Sequence, residues 1–305
     1  MSSVIVSGAG GNFGSFILEA LVNQKHKFSR IAILCSQERK SNFVQWETKG
    51  FELIVGSPTD STSFQGFDVA ISLLGNLGLR LQPKMVDAAI AAGVKHFYPS
   101  EFGNDIDQTE LRNARYYTDK VLTRQHLREK AKEYPSFVYT LVHIGLFAET
   151  FALSEEFGVN RTNKTFTWFG NPETEASFSS MADTARYTIE SILLPLGGKQ
   201  ERKLNVPNGN FKIEEVIETL GQVQGINYTP VYKPPQETVD EEERQRKGGN
   251  VGLELLASVR RIIGQPQSAV PKPWNHDDFQ FSPIGLKAMF EATLDGEAMK
   301  SSSLK

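Results

Sequence analysis

Up to residue 142 the apolar positions of the chain fall in short unbroken blocks. Each block ends in a small-residue turn, and residues apolar at helical spacing lie between the blocks. The blocks at 4–6, 31–34, 51–56, 67–75, 96–98 and 137–142 predict six strands covered on both faces. Phe16, Ile17, Leu18, Ala20 and Leu21 predict a helix after the first, and Met85, Val86, Ala89 and Ile90 another that stops at Gly93. Strands alternating with helices imply an α/β fold with a Rossmann-type, doubly wound parallel sheet.

After Gly145 the alternation weakens. A helix is predicted over 146–157, a strand over 165–170 and a helix over 177–194, with Asp183 and Thr184 as capping candidates. A strand at 204–206, a helix at 213–220, a strand at 228–232 and helices at 253–263 and 284–294 follow. The mixed-charge run at 240–247 reads as a solvated helix or loop, and the tail from Ser301 as disordered. The simplest partition gives residues 1–150 and 181–206 to a nucleotide domain. Residues 151–180 and 207–305 form a smaller α+β substrate-binding cap, with the binding cleft expected between the two.

The first block leads straight into Gly8, Ala9, Gly10, Gly11, Asn12, Phe13 and Gly14, and then into a helix. Strand, glycine turn and helix in that order begin a dinucleotide-binding unit. Gly8 permits the tight turn, Gly11 lets backbone N–H groups at Asn12 and Phe13 reach a pyrophosphate, and Gly14 lets the helix pack close. The helix start offers unpaired N–H donors and partial positive charge to the phosphates.

The end of the second strand is where such folds select their cofactor. Here stand Ser36, Glu38, Arg39 and Lys40. Ser36, Arg39 and Lys40 suit the extra phosphate of NADP, Glu38 opposes it, and the alternative is a plain solvated loop. Leu74, Gly75 and Asn76 end the fourth strand and should lie against the cofactor. Ser100, Phe102 and Gly103 follow the fifth strand in a second cofactor-lining turn, which also offers Glu101 to a substrate.

Tyr116 and Lys120 stand four apart where a helix is expected, which would put both on one face. An ammonium beside a phenol favours the phenolate, so this pair suits proton transfer; Lys120 alone could polarise a carbonyl and also hold the cofactor's ribose. His143 ends the sixth strand, as a proton relay, a substrate contact or a packing histidine. Phe147, Phe151 and Trp168 are candidates to line an apolar substrate pocket, or are ordinary core.

Composition narrows the picture further. The chain has 305 residues, 39% of them hydrophobic and 23% charged, and a net charge of −3. That balance leaves no platform for nucleic acid or an anionic membrane. Cys35 is the single cysteine, so no intramolecular disulfide is possible. The five histidines show no ligand spacing, and no metal site is expected. A strand at the very start leaves no room for a signal peptide, and no apolar run reaches the about eighteen residues of a membrane span. A cytoplasmic monomer or homodimer is the expectation.

Three stretches carry a family resemblance. The first is the glycine turn from Gly8 to Gly14. The second is Ala92-Gly93-Val94-Lys95-His96-Phe97-Tyr98-Pro99-Ser100-Glu101-Phe102-Gly103-Asn104. The third is Ser179-Ser180-Met181-Ala182-Asp183-Thr184-Ala185-Arg186-Tyr187. Over residues 4–235 the chain resembles the isoflavone reductase-like and NmrA-like group of atypical short-chain dehydrogenases. The resemblance implies that Lys120 is the catalytic lysine and NADP(H) the cofactor. It points to a fungal secondary-metabolism member that reduces a hydrophobic aromatic or polycyclic natural product. Two departures bear on this. The family often has an arginine directly after the second strand, where this chain has Cys35 and Ser36, and Tyr116 is not a constant feature. Two alternatives stay open from the sequence: a non-redox cyclase or isomerase that keeps the cofactor as part of its pocket, and a nucleotide-binding redox sensor.

Overall fold

The computed structural model describes residues 1–302. Its central element is a seven-stranded sheet. Six strands come from the first half of the chain: β1 (Ser2–Ser7), β2 (Phe28–Cys35), β3 (Glu52–Val55), β4 (Val69–Ser72), β5 (His96–Tyr98) and β6 (Val138–His143). The seventh is the later strand Glu201–Asn205, which pairs with β6 at one edge. From that edge the order runs β6, β5, β4, β1, β2, β3, and the pairs from β6 to β3 are parallel. The chain therefore winds one way from β1 to β3 and the other way from β4 to β6. The reversal falls between β1 and β4, where open α/β sheets bind ligands beyond the strands' carboxyl ends.

The unbroken apolar blocks have the expected cause. Val4, Ile5 and Val6 are completely buried because both faces of β1 are covered. Ile5, Ala32, Ala70, Phe97, Tyr139 and Leu141 pack against Met85, Val86 and Ala89 of the helix Gln82–Ala91 and Leu127 of the helix Thr118–Glu133. At the far edge β3 is only partly covered.

By compactness the chain forms two units. The first comprises residues 1–102, 119–142 and 185–204; the second comprises 103–118, 143–184 and 205–305. The predicted partition differs chiefly at 103–118, a segment placed by the sequence in the nucleotide domain and found in the second unit. The second unit is also the longer of the two, not the smaller.

The second unit holds two three-stranded mixed sheets, Gly209–Lys212 with Glu175–Ser179 and Leu146–Phe147, and Thr229–Lys233 with Thr165–Phe169 and Val159–Asn160. Two predicted helices here are partly strand. Leu146–Phe147 pairs with Phe178 and Ser179 before the helix Ala148–Leu153 begins. Likewise Glu175–Ser179 is a strand, and the helix starts only at Met181. Ser180, rather than Asp183 or Thr184, caps that helix: its hydroxyl accepts the Asp183 N–H at 3.0 Å. The last helix, Leu286–Ser302, takes in Ser301, and residues 303–305 of the predicted tail lie outside the described residues. Among the described residues no helix is long and apolar enough to cross a membrane.

Candidate active site

At the carboxyl end of β1 the chain must turn sharply beside β4. Gly8 has φ +83°, and a Cβ there would stand 2.7 Å from the carbonyl carbon of Leu73. The Leu73 N–H donates to the Ser7 carbonyl at 2.8 Å, which ties the two strand ends together. A Cβ on Gly14 would lie 2.0 Å from the Ala9 carbonyl oxygen, so the helix Gly14–Asn23 (α1) can start there only with glycine. Gly11 differs from both: nothing lies within 4 Å of its Cβ position. The two outer glycines are required by the fold, and the middle one opens onto free space.

That space has the electrostatics of an anion site. The start of α1 has no side-chain cap and no acidic residue in its first turn. The Gly14 N–H is taken by the Gly11 carbonyl at 3.0 Å, while the helix dipole, with no side chain competing at this end, favours a phosphate. Gly75, with nothing within 4 Å of its Cβ position, and Asn76 are exposed beyond β4. Arg39 reaches the rim, its guanidinium 3.9 Å from the Cβ position of Gly10. Ser36, Arg39 and Lys40 are all exposed, and the Ser36 hydroxyl bonds the Glu38 carboxylate, holding it below the usual carboxylate range. These residues fit a dinucleotide: a cradle a Cβ would fill, an uncapped helix start and a basic side chain at the rim.

The turn after β5 is fixed to the same strand ends. The Ser100 hydroxyl donates to the Leu74 carbonyl at 2.9 Å, and its N–H donates to Gln82 Oε1 at 2.7 Å. Phe102 meets Phe13 edge to face, with ring centroids 4.9 Å apart. Gly103 lies in the second unit, where its carbonyl accepts the N–H groups of Ile144 and Gly145.

Lys120 is buried in the first turn of the helix Thr118–Glu133. Its Nζ donates to the Glu101 backbone carbonyl. Burial pushes the ammonium down to about 8; Glu101 resists that shift and Arg124 adds to it. The Glu101 side chain is 1% exposed and accepts both arms of Arg124, at 3.0 and 2.9 Å. The expectation that Glu101 contacts substrate is therefore corrected: its carboxylate is consumed by a buried ion pair. Sequence reading missed Arg124 altogether. A signal existed, because Lys120, Arg124, Leu127 and Ala131 share one helical stripe whose last two members are apolar, and all four are buried.

Tyr116 does not stand on the helix of Lys120. It lies in the short turn Arg115–Tyr117 that precedes Thr118, and it falls in the second compact unit while Lys120 falls in the first. Its ring meets Tyr117 edge to face and packs on the core of the second unit. His143 is completely buried, bonded through Nδ1 to Asn205 Oδ1 at 2.8 Å, with Nε2 3.7 Å from Asp105. Phe151 and Trp168 are likewise enclosed in the second unit's core, and only Phe147 among the three aromatic candidates is partly exposed. Among the described residues no group of three His, Cys, Asp or Glu could hold a metal ion.

Comparison with known proteins shows the family. The model of the NmrA-like family matches residues 1–256. The chain is 30% identical over 276 residues to oxidoreductase aprR of Aspergillus flavus, covering 86% of this chain and 84% of that protein. It is 26% identical over 269 residues to phenylcoumaran benzylic ether reductase 1 of Arabidopsis thaliana, covering 85% and 86%. Among solved structures, the pinoresinol-lariciresinol and phenylcoumaran benzylic ether reductases superpose with a TM-score of 0.76, at 23% identity over 96% of this chain and 99% of theirs. AtPrR2 with NADP+ and (+)pinoresinol gives 0.75 at 17% identity, over 96% and 98%. A family model spanning most of the chain, with relatives matching about 85% of it, means that this chain belongs to the NmrA-like family.

Proposed function

We propose that the protein is an NADPH-dependent reductase of a hydrophobic aromatic natural product. The observation that carries this reading is Lys120, a buried ammonium pushed down to about 8 and tied to the turn after β5, in the same unit as the open glycine cradle. Few structural roles call for a buried lysine, whereas a proton donor working near neutral pH does.

Bound at the cradle, NADPH would supply a hydride. The N–H groups at the start of α1 would hold the pyrophosphate, and Arg39, with Ser36 and Lys40, would take the additional phosphate. Phe13 and Phe102 form one apolar wall, and Ser100 and Gln82 hold the neighbouring turn in place. Lys120 gives one Nζ proton to the substrate atom that gains electron density. It is left as a neutral amine and takes a proton back from solvent. The relative named oxidoreductase supports redox chemistry, and the relative named phenylcoumaran benzylic ether reductase and the neighbour holding NADP+ and pinoresinol support an aromatic, phenolic substrate.

The test is incubation with NADPH and a panel of phenylpropanoid dimers and polycyclic aromatics, following cofactor absorbance and product mass together. A product two hydrogens heavier, with one NADPH consumed per product, is expected. An isomeric product with NADPH untouched would overturn the reductase reading in favour of a cyclase or isomerase. Tight nucleotide binding without turnover on any compound would overturn it in favour of a redox sensor.

A further inference from the structure

Lys120 is not held alone. Arg124 follows it by one helical turn, and together they grip the two ends of Glu101: Lys120 bonds its carbonyl and Arg124 its carboxylate. The Glu101 N–H is also fixed, donating to the Pro99 carbonyl at 2.8 Å. All three hydrogen-bonding parts of this residue are thus committed.

Stability does not account for the pair. Arg124 and Glu101 are 2% and 1% exposed, and two charges so deeply buried repay little more than their desolvation. Apolar side chains of the same volume would hold the fold as well. What the pair does supply is direction. A planar guanidinium bonded at two points to a planar carboxylate leaves the carboxylate little freedom to rotate. With its side chain and N–H tied, Glu101 is anchored about its Cα, and the carbonyl that receives the ammonium of Lys120 extends from that fixed point.

We propose that the Glu101–Arg124 ion pair is the positioning element for Lys120, aiming its ammonium through the locked Glu101 carbonyl and setting the charge around it. The proposal rests on the reading of Lys120 as proton donor. Two charged groups face the ammonium from the elements described above, Glu101 from the turn and Arg124 from its own helix. They act in opposite senses: Glu101 holds the proton on, Arg124 drives it off, and Glu101 is the stronger of the two.

The test titrates Lys120 directly and follows turnover beside it. Protein labelled with ε-13C-lysine is titrated by NMR, with the Lys120 resonance identified by its loss in Lys120→Ala. Glu101→Gln leaves Arg124 unopposed, and Lys120 is expected to titrate at lower pH than in the parent. Arg124→Gln leaves Glu101 unopposed, and the midpoint is expected to rise. Should either variant fail to fold, Glu101→Met combined with Arg124→Leu replaces the pair with apolar side chains. Because Glu101 outweighs Arg124, the midpoint then falls below that of the parent. Arg124→Lys keeps the charge and loses the fork. It is expected to lose at least tenfold in kcat, with nucleotide affinity within threefold.

Unmoved midpoints in the folded variants, or parental turnover by Arg124→Lys, would overturn the proposal while leaving the reductase reading intact. Shifted midpoints in a protein that reduces no compound of the panel would remove the reductase reading and leave the charge coupling of the three residues established.

Discussion

Lys120 donates to the backbone carbonyl of Glu101, while the Glu101 carboxylate belongs to Arg124. Burial therefore costs the ammonium more than the charge of Glu101 returns to it. Its ionisation falls from the ordinary 10.5 to about 8, so between those values the unfolded chain binds more protons than the folded one. Stability rises with pH across that window, and the cost is fully present below it. At roughly 1.4 kcal/mol per pH unit, this amounts to about 3 kcal/mol near pH 7. Lys120→Met is expected to raise the urea midpoint at pH 7 while lowering turnover by about two to four orders of magnitude. In the parent protein, turnover should fall as pH rises through about 8, because the donor must be protonated. A lower urea midpoint, or near-parental turnover, would contradict this account.

The glycines of the turn should separate folding from binding. Gly14→Ala drives a Cβ into the Ala9 carbonyl, and Gly8→Ala adds a Leu73 clash to a left-handed backbone. Both are expected to lose several kcal/mol of stability, roughly the largest class of single-site effects. Gly11→Ala meets nothing within 4 Å and should melt like the parent. It should nevertheless bind NADPH at least tenfold more weakly by fluorescence titration, because the methyl occupies the space the phosphates need.

His96 should govern acid tolerance. It is buried, with Nε2 2.9 Å from Thr140 Oγ1, and burial together with nearby Arg202 pushes its ionisation from 6.5 down to about 3. The unfolded chain binds a proton in that interval that the folded chain refuses. Stability should therefore fall as pH drops from 6.5 towards about 3, by about 1.4 kcal/mol per pH unit from this residue. Urea melts at pH 7, 6 and 5 should show a shallower decline in His96→Gln, which keeps a polar side chain facing Thr140 and cannot titrate there. Parallel declines would assign the acid sensitivity elsewhere.

Phe151 provides a check on packing against substrate contact. It is fully enclosed, with Phe178 edge to face at 5.2 Å and Phe166 at 5.8 Å. Phe151→Ala should cost about 3–5 kcal/mol of stability. Below the new melting temperature, KM for an aromatic substrate should stay within about twofold. A stable variant with a strongly raised KM would restore Phe151 to the substrate pocket.

Legibility in the sequence followed distance along the chain. The six strands of the first half were readable because burial on both faces leaves continuous apolar blocks, and the β1 turn because Gly14 answers a constraint within a few residues and Gly8 one at the end of β4. In contrast, Leu146–Phe147 and residues 177–179 of the strand Glu175–Ser179 read as helix. They are strands only because they find each other and Gly209–Lys212 far along the chain. The four-residue spacing of Tyr116 and Lys120 suggested a shared face, but spacing has that meaning only inside a helix, and the helix begins at Thr118.

What the sequence by itself determined, then, is the parallel sheet, the glycine cradle and the presence of a lysine after the turn that follows β5. Those features rest on local sterics and on the periodicity of burial. Only the tertiary structure decided which charges that lysine meets. Glu101 stands 23 residues before Arg124 and reads as an exposed polar residue in a turn. It became the buried partner of Arg124 because the turn after β5 and the helix Thr118–Glu133 enclose both side chains, and two opposite charges shut away from water must satisfy one another.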